Sequence, residues 1–443
     1  MSIQTRKAAF VTLGCRINQH ETDSIAGEFS AAGFSIVEHD VPGADVCVIN
    51  TCTVTGKGEQ KSRQAVARMR RLHPQALLMI TGCAVERNAA AFAAREGVLL
   101  VDQDRKHAIA RLVIERLAAG PELPLPDFEN VQRNRFGFTP PAVSLHTRAT
   151  LKVQDGCDNR CTYCIVPLVR GAAVSRPAGD CLEAARQLIT LGYREIVITG
   201  VNLQQYSSGG LDLAALVTLL LDLPGDARFR LSSIEPDERS PKIAGLFAHP
   251  RLCPHLHLCL QSGSDRTLVR MGRHYSRGLF LDIVRELRKN DPLFNLTGDV
   301  IVGYPGETDE DFADTLATLR EARLTHAHTF QFSPREGTAA AGLGEQVPAR
   351  TMQGRSEAVR ALVRETRALY LAAFQGQTEQ LLVERTDPAR QTARGYGEHY
   401  IPIIHSFEPD EPLPPVNSLL ASQISGISNG KIPGLHGRSP AEK

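Results

Sequence analysis

Near its start the chain repeats one arrangement three times: a short apolar run closes on a small residue and then a cysteine. Leu13 leads into Gly14-Cys15, Asn50 into Thr51-Cys52, and Thr81 into Gly82-Cys83. The runs Ala8–Leu13, Val46–Asn50 and Leu77–Thr81 have strand length. Helical patterns, Glu21–Ala32 and Glu59–Leu72, lie between them. Such alternation implies a parallel sheet, and sites in open α/β sheets form beyond the carboxyl ends of the strands. Three cysteines in that position on three strands are set to converge on one point. The alternative is three unrelated buried cysteines. Cys47, inside a predicted strand, is read in that way, as packing. Arg63, Arg68, Arg70 and Arg71 make the second helix basic, as a solvated face or as an RNA contact.

A second constellation lies further on, in Asp155-Gly156-Cys157-Asp158-Asn159-Arg160-Cys161-Thr162-Tyr163-Cys164. Cys157, Cys161 and Cys164 put three thiolates on one tight loop with no fourth ligand nearby. Iron–sulfur clusters are usually held by four Cys, so a cubane on three keeps one iron open. Structural zinc prefers a closed set of four ligands, and a redox pair needs only two Cys. The spacing therefore favours a cluster with an open iron, with zinc or unpaired buried Cys as the alternatives. The three strand-end cysteines would make a second such site.

The remaining composition fits an enzyme with packed cores. Length alone sets a prior of about three domains. A net charge of +1 supplies no global basic field, so any nucleic-acid binding must come from local patches. Ten cysteines spread over 443 residues do not resemble a disulfide framework, and thiols kept reduced for metal fit the cytoplasm. No apolar run reaches the roughly 18 residues of a membrane span, and no secretory leader pattern opens the chain. The expectation is a cytoplasmic protein without a membrane partner.

Three blocks separate. Residues 1–118 form the first. Residues 119–147 read as a linker, with Pro121, Pro124, Pro126, Pro140 and Pro141 opposing helix. Residues 148–375 alternate again, with predicted strands Leu151–Val153, Glu195–Thr199, Phe229–Ser232, His257–Cys259, Asp299–Val302 and Thr329–Phe332. Helices are expected at Cys181–Leu191 and Leu279–Lys289. Repeated units of this kind suggest a partial or full β/α barrel. Residues 376–443 hold strand-like runs Leu381–Arg385, Gly397–Ile403 and Ser418–Ile427, and Asn429-Gly430 is a hairpin signal. His255 and His257 point to one face of a predicted strand, as a metal pair or as ordinary core or surface residues. Cys181, Cys253 and Cys259 lack ligand spacing and are read as packing.

The Cys157 loop resembles the radical S-adenosylmethionine (SAM) signature. Thr12-Leu13-Gly14-Cys15-Arg16-Ile17-Asn18-Gln19, Asn50-Thr51-Cys52-Thr53-Val54-Thr55 and Thr81-Gly82-Cys83-Ala84 resemble the N-terminal domain of the methylthiotransferases. Ile198-Thr199-Gly200-Val201-Asn202, Arg230-Leu231-Ser232-Ser233-Ile234-Glu235-Pro236, Gln261-Ser262-Gly263, Asp299–Thr308 and Phe332–Thr338 are similar to later family motifs. The last block resembles a TRAM domain, a small RNA-binding β-barrel, though it is poor in Lys and Arg and carries Glu408, Asp410 and Glu411. The Leu13–Thr22 and Asn50–Thr55 stretches look most like the threonylcarbamoyladenosine branch. Other branches modify isopentenyladenosine in tRNA or an aspartate of a ribosomal protein. A zinc-stabilised RNA-binding protein is the reading from another class.

The resemblance implies a fold: a Rossmann-like N-terminal parallel sheet, a central radical SAM β/α (TIM-like) barrel and a small C-terminal β-barrel. It implies two [4Fe-4S] clusters, on Cys157, Cys161 and Cys164 and on Cys15, Cys52 and Cys83, with SAM as co-substrate. The first would cleave SAM to a 5′-deoxyadenosyl radical that takes hydrogen from C2 of the adenine. The second would deliver methylated sulfur to that carbon of N6-threonylcarbamoyladenosine, adenosine 37 beside the anticodon. A C–H bond this inert is beyond side-chain acids and bases, so cofactors carry the chemistry. Tyr163, Thr199, Gly200, Ser233 and Glu235 are the expected SAM contacts. For Tyr163 plain packing, and for Glu235 an ion pair with a nearby Arg, are the alternatives. The expected partners are tRNA and an electron donor such as flavodoxin or ferredoxin, and the expected state is a monomer.

Overall fold

A computed structural model describes residues 6–93, 98–119, 127–141, 145–428 and 434–439. Pro121, Pro124 and Pro126 of the expected linker, and the Asn429-Gly430 turn, lie outside the described residues. The chain divides into two compact units. One comprises residues 1–191, 199–201 and 333–341, the other residues 192–198, 202–332 and 342–443.

The first unit contains a five-stranded parallel sheet. Its order is Ser35–Val37, Lys7–Thr12, Val46–Thr51, Leu77–Gly82, Val98–Val101. Strand order reverses between Lys7–Thr12 and Val46–Thr51, the switch point at which such sheets bind ligands. Apolar clusters cover both faces. One is built on Phe10, Ile25, Phe29 and Val48, the other on Ile49, Met69, Leu78 and Ile80. The expected helices begin earlier than the apolar periodicity suggested. Arg16–Ala31 starts directly after Cys15, and Gly56–Leu72 starts after Thr55, whose side chain accepts from the Gly58 amide at 3.0 Å. At Gly56–Leu72 a capping side chain, rather than a hydrophobic residue, sets the start, whereas Cys15 makes no side-chain cap on Arg16–Ala31. Cys47 is fully buried in the core, as read.

In the second unit Arg228–Leu231 pairs parallel with Glu195–Thr199. Ser233–Ile234, His255–Leu258, Asn295–Val302 and His326–Gln331 form a four-stranded parallel sheet. Helices such as Leu213–Leu221, Arg277–Arg288 and Asp309–Ala322 connect strands. The last opens with a capping box between Thr308 and Asp311. A 24-residue helix, Ala349–Ala372, leads to a closed five-stranded barrel. Its order is Thr378–Asp387, Thr392–Tyr396, Pro402–Ser406, Gly434–Arg438, Leu419–Ser428. Leu381, Val383, Ile403 and Ile424 fill it, and Leu371 and Phe374 from the helix end plug it. The expected single strand Gly397–Ile403 is instead a turn and the start of the next strand. The Gly397 amide donates to Ile401 O at 2.9 Å and Tyr400 has a positive φ of 60°. At Gly395 an added Cβ would lie 1.8 Å from Leu382 O, so glycine is required there. No described helix is long and apolar enough to cross a membrane.

Candidate metal centre and its buried charge network

Each strand-end cysteine sits where a strand hands over to a helix. Cys15 is the N-cap of Arg16–Ala31, and Cys83 is the first residue of Cys83–Arg87. Cys52 lies three residues ahead of the Thr55 cap, and a Cβ on helical Gly58 would lie 3.6 Å from its sulfur. Helix N-termini carry partial positive charge and favour thiolates. Close backbone approach makes the convergence possible. Gly14 (φ +99°) lies against Cys52, since a Cβ there would be 2.9 Å from its sulfur. Gly82 (φ +97°) abuts Thr51, with 2.4 Å from a Cβ to its carbonyl oxygen. Only glycine meets both demands, space and left-handed backbone.

Asn18 fastens the corner. Its amide donates to Leu13 O at 2.7 Å and to Thr51 O at 3.0 Å. Gln103 donates to the Cys83 sulfur at 3.3 Å. Burial pushes the Cys52 thiol up to about 11 and raises Cys83 too, against the pull of Arg170. Burial thus works toward the protonated thiol, and a metal binding there would have to displace that proton.

The Cys157 loop grows from a two-stranded ribbon, Gln154–Asp155 with Val174–Ser175. Cys157 N donates to Gly171 O at 3.1 Å and Ala173 N to Asp158 at 3.0 Å. Gly156 (φ +70°) leaves no room for a side chain, as a Cβ would be 1.9 Å from Ala172 O. Ala340 N donates to Thr162 O at 2.7 Å. Cys161 is buried, and Cys157 and Cys164 are half-buried. Directly after Cys164, Ile165 and Val169 pack on Cys83. The two cysteine sets are therefore neighbours within one unit.

Beneath them lies a buried ionic network that sequence reasoning missed. Glu21 pairs with Lys106 at 2.5 Å and Lys152 at 2.8 Å. Asp155 pairs with Lys152 at 2.6 Å and Arg170 at 2.9 Å. Arg170 also donates to Asn18 at 2.7 Å, and its charge reaches Cys83 and Cys15. At formal charges three cations face two carboxylates, a surplus of one, although burial pulls the Lys106 pKa down against the raising effect of Glu21. Burial opposes the charged form of Arg170, yet Asp155 and Cys83 outweigh it and hold its pKa well above the usual range. Burial also opposes ionised Asp155, but Arg170 and Lys152 keep its pKa low. A surplus cation beside three thiols at helix N-termini suits a group that brings negative charge, and a thiolate-held iron–sulfur cluster is such a group. Asn50 Oδ1, Thr81 Oγ1 and Gln103 Oε1 are buried there without a hydrogen-bond partner. Nothing in the spacing marks Arg170 or Lys106. The one visible signal is the Asp155-Gly156 step against the first loop cysteine.

The expected SAM contacts fall in both units. Tyr163 is half-buried in the Cys loop, and Thr199 and Gly200 are buried in the same unit, with Thr199 O accepting from Val153 N at 3.0 Å. Ser233 and Glu235 belong to the other unit. Glu235 pairs with Arg273 at 3.3 Å and also accepts from Asn202 at 2.9 Å. Cys181 and Cys253 are buried, and Cys259 is half-buried. Arg63 is exposed and bonded to Glu59 at 2.8 Å, a solvated helix pair.

Residues 7–101 match the family described as Uncharacterized protein family UPF0004, and residues 151–319 match the Radical SAM superfamily. A threonylcarbamoyladenosine tRNA methylthiotransferase of Chlamydia pneumoniae is 35% identical over 90% of this chain and 92% of its own. Its counterpart in Thermotoga maritima is 34% identical over 88% and 89%. A tRNA-2-methylthio-N(6)-dimethylallyladenosine synthase of Paraburkholderia phymatum is 32% identical over 87% of each chain. Among solved structures, a radical SAM methyltransferase of Kitasatospora setae aligns with a TM-score of 0.52 at 14% identity, covering 76% of this chain and 77% of that one. That likeness concerns the fold.

Proposed function

From a chain that belongs to the radical SAM methylthiotransferase family, most like its threonylcarbamoyladenosine branch, we propose one reaction: transfer of a methylthio group to C2 of N6-threonylcarbamoyladenosine in tRNA. The convergence of Cys15, Cys52 and Cys83 on one corner, packed against the Cys157 loop, carries the reading. A radical SAM enzyme that only abstracts hydrogen needs one cluster, and a second thiol set beside the first supports insertion of sulfur.

Cys157, Cys161 and Cys164 would hold the SAM-cleaving cluster, and Cys15, Cys52 and Cys83 the sulfur-delivering one. When bound, these groups supply the electron and the sulfur that no side chain can. The chain's own residues do the rest. Helix N-termini and Arg170 compensate thiolate charge. The buttressed loop around Gly156 and Asp155 fixes one set relative to the other, which is the positional control that chemistry at a single carbon demands. Tyr163, Thr199, Gly200, Ser233 and Glu235 are proposed to contact SAM. Residues 1–118 would carry the second cluster, residues 148–375 the radical chemistry and residues 376–443 the tRNA contact. The enzyme would act as a monomer in the cytosol with a flavodoxin- or ferredoxin-like donor.

Nucleoside analysis of bulk tRNA from a deletion strain tests the reading. Loss of the methylthio derivative of threonylcarbamoyladenosine, restored by the gene, is expected. An unchanged profile refutes a tRNA substrate. Loss of the isopentenyladenosine derivative instead supports the second reading, which the similarity to dimethylallyladenosine synthases favours.

A further inference from the structure

One face of the four-stranded sheet in the second unit is out of character for a parallel sheet. Parallel strands are normally buried and apolar on both sides. Here Leu256, Leu258, Leu296 and Val300 are fully buried, while His255, His257, Thr297 and Asp299, which alternate with them, are polar. Register partners share a face, and so do alternate residues of one strand. Ser233 pairs with His257, His257 with Thr297, Thr297 with His326, and Asp299 with His328. A polar row thus runs across all four strands, starting at Ser233, a proposed SAM contact.

The row gathers into a tight cluster. His257 Nε2 lies 3.2 Å from Asp299, and its Nδ1 lies 3.1 Å from the Thr297 hydroxyl, which fixes the ring. The rings of His257 and His328 are 5.6 Å apart, and those of His326 and His328 are 4.7 Å apart. Polar atoms of His257, Asp299 and His328 all lie within 4.8 Å of one another. His326 and His328 are exposed, and the Asp299 side chain keeps 25% of its surface accessible. The cluster is ordered, yet a ligand can reach it.

We propose that His257, Asp299 and His328, flanked by His326, bind the amino-acid substituent on N6 of the substrate base and so set its specificity. The inference rests on threonylcarbamoyladenosine as the substrate. That substituent ends in a carboxylate, a hydroxyl and an amide N–H. The exposed His328 and His326 rings donate N–H to the carboxylate, Asp299 accepts from the hydroxyl or the N–H, and His257, held by Asp299 and Thr297, keeps Asp299 in place. An isopentenyl group offers no polar atom, so it would desolvate this cluster without giving a hydrogen bond in return. Sites built to hydrogen-bond a group discriminate strongly against analogues that lack it.

The test uses full-length, anaerobically reconstituted enzyme and three anticodon stem-loops, bearing threonylcarbamoyladenosine, isopentenyladenosine or plain adenosine. Wild type should bind and turn over the first preferentially. His328→Leu should weaken binding of that stem-loop by about ten- to a hundredfold, the loss of one charge-assisted hydrogen bond. Its affinity for plain adenosine should hold, and the kinetic effect should fall on KM more than on kcat. His328→Gln, which keeps a donor, should recover much of the loss, and Asp299→Asn should act in the same direction as His328→Leu. An equal loss on all three stem-loops, or unchanged selectivity, would overturn the proposal. So would a stoichiometric metal ion that wild type holds and His328→Leu releases. A wild-type enzyme that itself prefers the isopentenyl stem-loop overturns the substrate reading, and the inference with it, before any variant is made.

Discussion

Two buried ionic networks, one in each unit, handle surplus positive charge differently. In the second unit Glu195 pairs with Arg228 at 2.6 Å and Arg230 at 2.8 Å, two cations on one carboxylate. The excess is spent on backbone: Arg228 donates to Gln380 O and Tyr396 O, and Arg230 to Gly397 O and Glu398 O. Those carbonyls belong to the C-terminal barrel, so this network is a fastening. In the first unit the excess on Lys106, Lys152 and Arg170 ends on Asn18 and toward the thiols. A buried charge must be compensated. The second network closes on barrel backbone, whereas the first, beyond one bond from Lys152 to Arg135 O at 3.0 Å, faces Asn18 and the strand-end thiols.

The hardest test of that distinction removes thiols. Cys157→Ala should abolish reductive SAM cleavage. Cys15→Ala should retain part of it while stopping sulfur insertion. Equal loss of both activities in the Cys15 variant, measured as 5′-deoxyadenosine and methylthio product, would argue against two separate sets. Next come the arginines. Arg170→Met leaves Asp155 its Lys152 partner and Arg228→Met leaves Glu195 its Arg230 partner, but each removes two or more buried charge-assisted hydrogen bonds and should cost about 3–5 kcal/mol of stability. Denaturant melts of the reconstituted proteins should show similar losses. Iron content at a temperature where both stay folded should fall only for Arg170→Met. Iron lost equally from both would erase the contrast. The smallest effect concerns His399, which bonds Glu379 at 2.5 Å and Asp291 at 2.9 Å. Burial disfavours its charge, but the two carboxylates prevail and raise its pKa to about 9. A raised folded-state value means the contribution is full below the unfolded pKa of about 6.5 and is lost as pH rises through about 9, a change on the order of 3 kcal/mol. Thermal melts across that window should show the decline, and His399→Gln should flatten it.

Much of the first unit was legible because hydrophobic period and cysteine position say the same thing. Val46–Thr51 and Leu77–Gly82 appear within one residue of expectation. The short strand Ser35–Val37 and the helix Ala349–Ala372 went unread. The first has only three residues, and the second mixes buried Arg355 and Ser356 into its inner stripe. Cysteine partners were visible as a pattern, but Arg170, Lys106 and Asn18 were not. Their meaning arises from charges met across 85 to 152 residues of chain, and no local spacing encodes that.

The return of residues 333–341 to the first unit has a consequence for biogenesis. Arg335 donates to Thr53 at 2.7 Å and to Glu59 at 2.5 Å, across 282 and 276 residues of chain. Translation at ordinary speed leaves roughly 10–50 s between the emergence of Cys83 and of that closing segment. Throughout that interval Thr53 and Glu59, just beyond Cys52, lack their Arg335 partner, so this corner of the first unit closes only late in synthesis.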